Sequence, residues 1–118
     1  MSHPPKPNIL LIMTDQQRAD CLGVAGHPTL LTPSMDAIAH NGVRFTRAYT
    51  TCPSCIAARR SLLSGQFPKT HGMVGYHSGV EWRLPPTLPQ VLRDNGYETV
   101  LVGRSMHQYP PRRRMGFD

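Results

Sequence analysis

Thr51-Cys52-Pro53-Ser54-Cys55-Ile56-Ala57-Ala58-Arg59-Arg60-Ser61-Leu62-Leu63-Ser64-Gly65 reads as a loop that turns into a helix and sets a thiol at the junction. From Ile56 the residues are good helix formers, Leu62 and Leu63 are placed to turn inward, and Gly65 stands where a left-handed residue ends a helix. Cys55 therefore falls at or near a helix N-terminus. There the backbone N–H groups and the positive end of the helix dipole favour an anion and lower the pKa of a thiol. Arg59, four residues on, shares roughly the same helix face, so its guanidinium reaches back to the same spot. A reactive side chain, a dipole and a cation on one point suit a tetrahedral oxyanion.

Upstream, residues 43–49 alternate enough to predict a strand that runs directly into Cys52 and Cys55. Residues 8–14 hold the unbroken run Ile9-Leu10-Leu11-Ile12-Met13, apolar on both faces as in a parallel sheet covered by helices. Asp15 and Gln16 follow at its carboxyl end, where open α/β sheets place their ligands, and both offer hard oxygen donors suited to Ca²⁺ or Mg²⁺. An Asp in that place also serves as a turn residue. Thr32 and Pro33 open a predicted helix that Gly42 closes, with Met35, Ile38 and Ala39 as its inward stripe and His40 in its last turn. Thr87 and Gly96 bracket a third helix, and residues 97–102 form another buried-type strand. Between them, Gly75, Gly79, Pro85 and Pro86 predict irregular structure in which Tyr76, His77 and Trp82 are possible substrate contacts or loop packing. Cys21 reads as a small buried residue and His71 as a loop residue. Three strand-like runs with helices between them predict an α/β fold built on an incomplete sheet.

The 118 residues allow one small domain, with a flexible lead over residues 1–7. Its net charge of +6, concentrated in Arg112-Arg113-Arg114, suits anionic partners such as sulfate or phosphate esters, or simply a solvated basic segment. No aromatic-rich basic stripe accompanies it, so nucleic acid is not an expected partner. Three Cys do not make a secreted disulfide framework. No apolar run reaches the length of a signal peptide or a membrane span, and a cytoplasmic protein without membrane contact is the expectation.

Cys55-x-Ala57-x-Arg59 followed by Ser61-Leu62-Leu63-Ser64-Gly65 resembles the signature of the type I sulfatases, C-x-P-x-R with a Leu-Leu-Thr/Ser-Gly run. Ala57 stands where Pro is usual, as in members matured by radical-type maturases. Counting from Cys52 instead puts Ile56 where Arg is required, so only Cys55 fits. The resemblance implies the N-terminal portion, residues 8–118, of an alkaline-phosphatase-like catalytic domain: a mixed, mostly parallel sheet covered by helices. It implies that Cys55 is oxidised by a maturase to formylglycine, whose hydrated aldehyde attacks the sulfur of a small-molecule or carbohydrate sulfate ester. It implies a divalent metal, Ca²⁺ first with Mg²⁺ or Mn²⁺ as options, held by Asp15, Gln16 and the modified Cys55. The Asp15-Gln16 pair replaces two Asp, a variant shared with the choline-sulfatase and phosphonate monoester hydrolase branches. After the last strand, Gly103-Arg104-Ser105-Met106-His107 resembles the family's Gly-Lys-x-His, which casts Arg104 and His107 as contacts to the sulfate. The family's remaining ligands fall beyond residue 118, so this piece alone is expected to be inactive. Three other readings stand beside this one. They are a phosphonate monoester or phosphodiester hydrolase of the same superfamily, a non-catalytic anion-binding module, and a redox or zinc role for Cys52-Pro53-Ser54-Cys55.

Overall fold

Prolines and glycines mark where helices start and stop in this chain, and the structure follows them closely. A computed structural model describes residues 6–81, 83, 85–104, 109 and 113–118. The first five residues of the predicted lead, Trp82, His107 and Arg112 lie outside the described residues. The chain forms two compact units, residues 1–46 and residues 47–118. No helix among the described residues is long and apolar enough to cross a membrane.

The first unit is organised by α1 (Pro33–Asn41). Pro33 sits in the first turn, where its missing N–H costs nothing. The Thr32 hydroxyl makes no cap bond to the helix. It accepts from the Gly23 N–H at 2.8 Å and donates to Asp36 Oδ1 at 2.9 Å, and the same oxygen accepts the Val24 N–H at 2.9 Å. This knot fastens a single 3-10 turn, Gly23–Ala25, to the first turn of α1. The expected inward stripe does not form: Met35 and Ile38 are exposed and no residue of α1 is buried.

None of the three predicted strands forms a ladder among the described residues. Residues 8–14 carry no regular secondary structure and pair in no ladder, and Ile9, Leu10, Leu11, Ile12 and Met13 are 48–83% exposed. Val43 and Phe45 in the second run, and Val100 and Val102 in the third, are likewise exposed. A strand apolar on both faces is held only by neighbouring strands and covering helices. Among the described residues the one β pairing is the isolated parallel bridge between Glu81 and Tyr109.

The second unit contains α2 (Cys55–Ser64), α3 (Pro68–His71) and α4 (Leu88–Asp94). α2 touches both of the others. At 100° per residue, Ile56, Ala57, Arg60 and Leu63 share one side of α2, and these four are its buried residues. Leu62 lies on the other side and is 40% exposed, so only Leu63 turns inward. Ile56 and Ala57 pack with Cys52 and Met73, and Val80 closes over that cluster. Leu63 packs with Met115, with Phe117 against them. Gly65 ends α2 at φ 68°, its N–H bonded to the Ser61 carbonyl at 2.8 Å. Thr87 caps α4 by accepting the Gln90 N–H at 3.5 Å, and its hydroxyl donates to the Met115 carbonyl. Residues 97–102 are tied to the chain end through Thr99. The Asp118 N–H bonds to its carbonyl at 2.9 Å, and Asp118 Oδ2 accepts its N–H at 2.7 Å.

Candidate active site

Cys55 is the first residue of α2 and is exposed; Ser54 before it is extended and the Ala58 N–H makes the first helical bond, to the Ser54 carbonyl, at 2.9 Å. The N–H groups of the first turn therefore point past Cys55, as the sequence predicts. Arg59 is half-buried one turn on, about 40° round α2 from Cys55 and flanking the buried stripe. The helix is thus oriented by its apolar face, and the thiol and the cation are presented together.

Beneath them lie residues that no motif marked. Arg60 is fully buried, its guanidinium donating to the Val80 carbonyl at 2.6 Å and the Glu81 carbonyl at 3.3 Å. Burial lowers its pKa from the usual arginine value. The signal was present in the spacing, because Ile56, Arg60 and Leu63 follow the i, i+4, i+7 pattern of an inward face. His71 is no loop residue: it ends α3, buried, with its Nε2 3.0 Å from Ser61 Oγ and its Nδ1 accepting the Met73 N–H at 3.3 Å. Nδ1 accepting the Met73 N–H puts the proton of a neutral ring on Nε2, the nitrogen beside Ser61 Oγ. Burial, with help from the nearby Arg60 charge, holds His71 below its ordinary value of 6.5.

Cys52 is buried and its thiol donates to the Val74 carbonyl at 3.3 Å, while Cys55 is exposed; both are free thiols. That division of labour gives the redox reading of the pair no support. Cys21, in the other unit, is half-buried.

Asp15 and Gln16 lie in a bend that follows the apolar run of the first unit, both exposed, with Gln16 at φ 53°. Their carboxylate and carboxamide oxygens are the donor type a hard divalent cation takes. Among the described residues no group of three or more His, Cys, Asp or Glu side chains gathers as a ligand set. Arg104 is exposed at the end of residues 97–102.

The Sulfatase family model matches residues 7–118. An arylsulfatase of Clostridium perfringens is 49% identical over 95% of this chain and 23% of its own length. An ulvan-active sulfatase of Formosa agariphila is 39% identical over 98% of the chain and 24% of its own length. A choline-sulfatase of Rhizobium meliloti is 36% identical over 96% of the chain and 22% of its own length. The chain thus spans under a quarter of the length of these relatives. No solved structure matches.

Proposed function

The chain belongs to the sulfatase family, and from that premise we propose that the protein it forms part of hydrolyses sulfuric esters at a centre built on Cys55 and Arg59. The observation that carries this is the first turn of α2, with an exposed Cys55 at its head and Arg59 one turn on, flanking the buried stripe. The sulfatase names of the relatives support it. The family uses formylglycine and a divalent metal: the first supplies a hydroxyl nucleophile, the second supplies positive charge to the substrate oxygens. Cys55 is the residue to be matured, by a dedicated maturase. Asp15 and Gln16 are the residues to hold the metal; their oxygen donors suit Ca²⁺ or Mg²⁺ over zinc, and the family resemblance puts Ca²⁺ first.

The chain's own residues do the rest. The N–H groups heading α2 and the Arg59 guanidinium hold negative charge at the point of attack, where a fixed donor counts for more than in water. Arg104 binds a sulfate oxygen, and His107, outside the described residues, moves the proton to the departing alcohol. Residues 8–14, 43–49 and 97–102 are, in this reading, strands of an alkaline-phosphatase-like mixed, mostly parallel sheet whose other strands come from further along the protein. Gln16, in place of a second acid, is shared by the choline-sulfatase and phosphonate monoester hydrolase branches, so a phosphonate monoester or phosphodiester substrate at the same centre is the alternative.

The test is turnover by the full-length, matured protein of para-nitrophenyl sulfate against a phenyl phosphonate monoester. A higher kcat/KM for the sulfate, lost in Cys55→Ala, is the expected result; a higher value for the phosphonate moves the assignment to phosphorus.

A further inference from the structure

We propose that residues 75–79, Gly75-Tyr76-His77-Ser78-Gly79, form the loop that recognises what the sulfate is attached to, with Tyr76 and His77 touching a ring-bearing leaving group. The proposal rests on the sulfatase reading of Cys55 and goes beyond it to the other half of the substrate.

Both ends of this segment are fixed to the nucleophile stretch. On one side Met73 is 2% exposed in the cluster with Cys52, Ile56 and Ala57, and the next residue offers its carbonyl to the Cys52 thiol. On the other side Val80 packs on the same cluster, and Arg60 holds the Val80 and Glu81 carbonyls. A guanidinium taken wholly out of water is costly to bury, and here it is used to fix backbone shape. Cys52, Ile56 and Arg60 flank Cys55 in sequence, so α2 and the loop are positioned by one shared set of contacts.

Between the fixed ends the middle is presented outward: Tyr76 is 56% exposed and His77 is exposed. Cys52 is three residues from Cys55, a separation of at most about 10–11 Å of extended chain. The loop therefore leaves the core within the reach of a substrate whose sulfur sits at Cys55. Arg59 and the helix N-terminus satisfy the anionic half of a sulfate ester. A phenol and an imidazole add flat faces with hydrogen-bonding tips, which suit an aryl or pyranose ring and add nothing to a bare anion.

The experiment uses the full-length, matured protein. It compares KM for para-nitrophenyl sulfate with the inhibition constant of inorganic sulfate, which fills the anion pocket and has no leaving group. Tyr76→Ala and His77→Ala, both exposed and so expected to fold, should each raise KM about tenfold, with kcat and the sulfate inhibition constant held within about twofold. Arg60→Met, in which the loop loses its anchor, should shift KM in the same direction, and Arg60→Lys should restore part of it. Unchanged KM in both loop variants, with wild-type turnover intact, overturns the proposal alone. KM and the sulfate constant rising together also overturns it, because the loop then serves the anion pocket. Wild-type protein that cleaves no sulfate ester overturns the sulfatase reading itself.

Discussion

Arg59 and Arg60 are neighbours in sequence with opposite fates. Arg60 points into the core and holds two carbonyls, whereas Arg59 lies one turn on from Cys55 and flanks the buried stripe. Arg59→Ala is expected to lower kcat/KM on a sulfate ester by roughly 100- to 1,000-fold, as loss of a fixed donor at developing charge does, with the unfolding midpoint little changed. The motif made Arg59 legible; Arg60 was hidden because a pair of arginines reads first as a solvated surface, and only the spacing to Ile56 and Leu63 says otherwise. His71 carries the pH dependence. Its folded pKa lies below its ordinary 6.5 because burial and Arg60 disfavour the imidazolium. The unfolded chain then binds the proton first as pH falls, so stability rises with pH across the window below 6.5 and is lost on going down through it. Thermal unfolding followed from pH 7.5 to 5.5 should show this decline, and His71→Gln should flatten it.

At the scale of elements, helix ends were legible and strands were not. Thr32, Gly42, Thr87, Gly65 and Gly96 bracket the observed helices to within a residue or two, because capping and termination are local chemistry. A buried strand is defined by its neighbours, and residues 8–14 lack the pairing that would make them one. The amphipathic stripe of α2 is fulfilled because Cys52, Met73 and Val80 meet it, whereas no residue of α1 is buried. Two glycines separate backbone strain from crowding. Gly65 sits at φ 68° with open space where a Cβ would go, so Gly65→Ala should cost about 1 kcal/mol, the left-handed penalty alone. At Gly116, φ 93°, a Cβ would come within 2.6 Å of the Gln90 backbone nitrogen and 2.7 Å of Thr87 Oγ. Gly116→Ala should therefore destabilise clearly more than Gly65→Ala in denaturant titrations of the same protein, through loss of the Thr87 cap.

For the molecule as a whole, the family implies an α/β fold of which these residues show the helices and the order of segments. The apolar side chains of residues 9–13 stand in water here, each forgoing about 1.5–3 kcal/mol that burial would give. The 118 residues produced alone should accordingly bind a hydrophobic dye strongly and leave para-nitrophenyl sulfate uncleaved, whereas the full-length protein should do the reverse. The site was more legible than the sheet because Cys55, Arg59 and the helix they share lie within one local stretch. Asp15 and Gln16, proposed to hold the metal, sit in the first unit, and among the described residues no group of three or more His, Cys, Asp or Glu gathers as a ligand set. Everything proposed about catalysis turns on the chemistry of one side chain. Mass spectrometry of the peptide spanning Cys55, from full-length protein expressed with its maturase, reads that chemistry directly. A peptide lighter by about eighteen mass units, the change from thiol to aldehyde, is the expected result. An intact thiol at Cys55 in protein that nonetheless cleaves sulfate esters would contradict it.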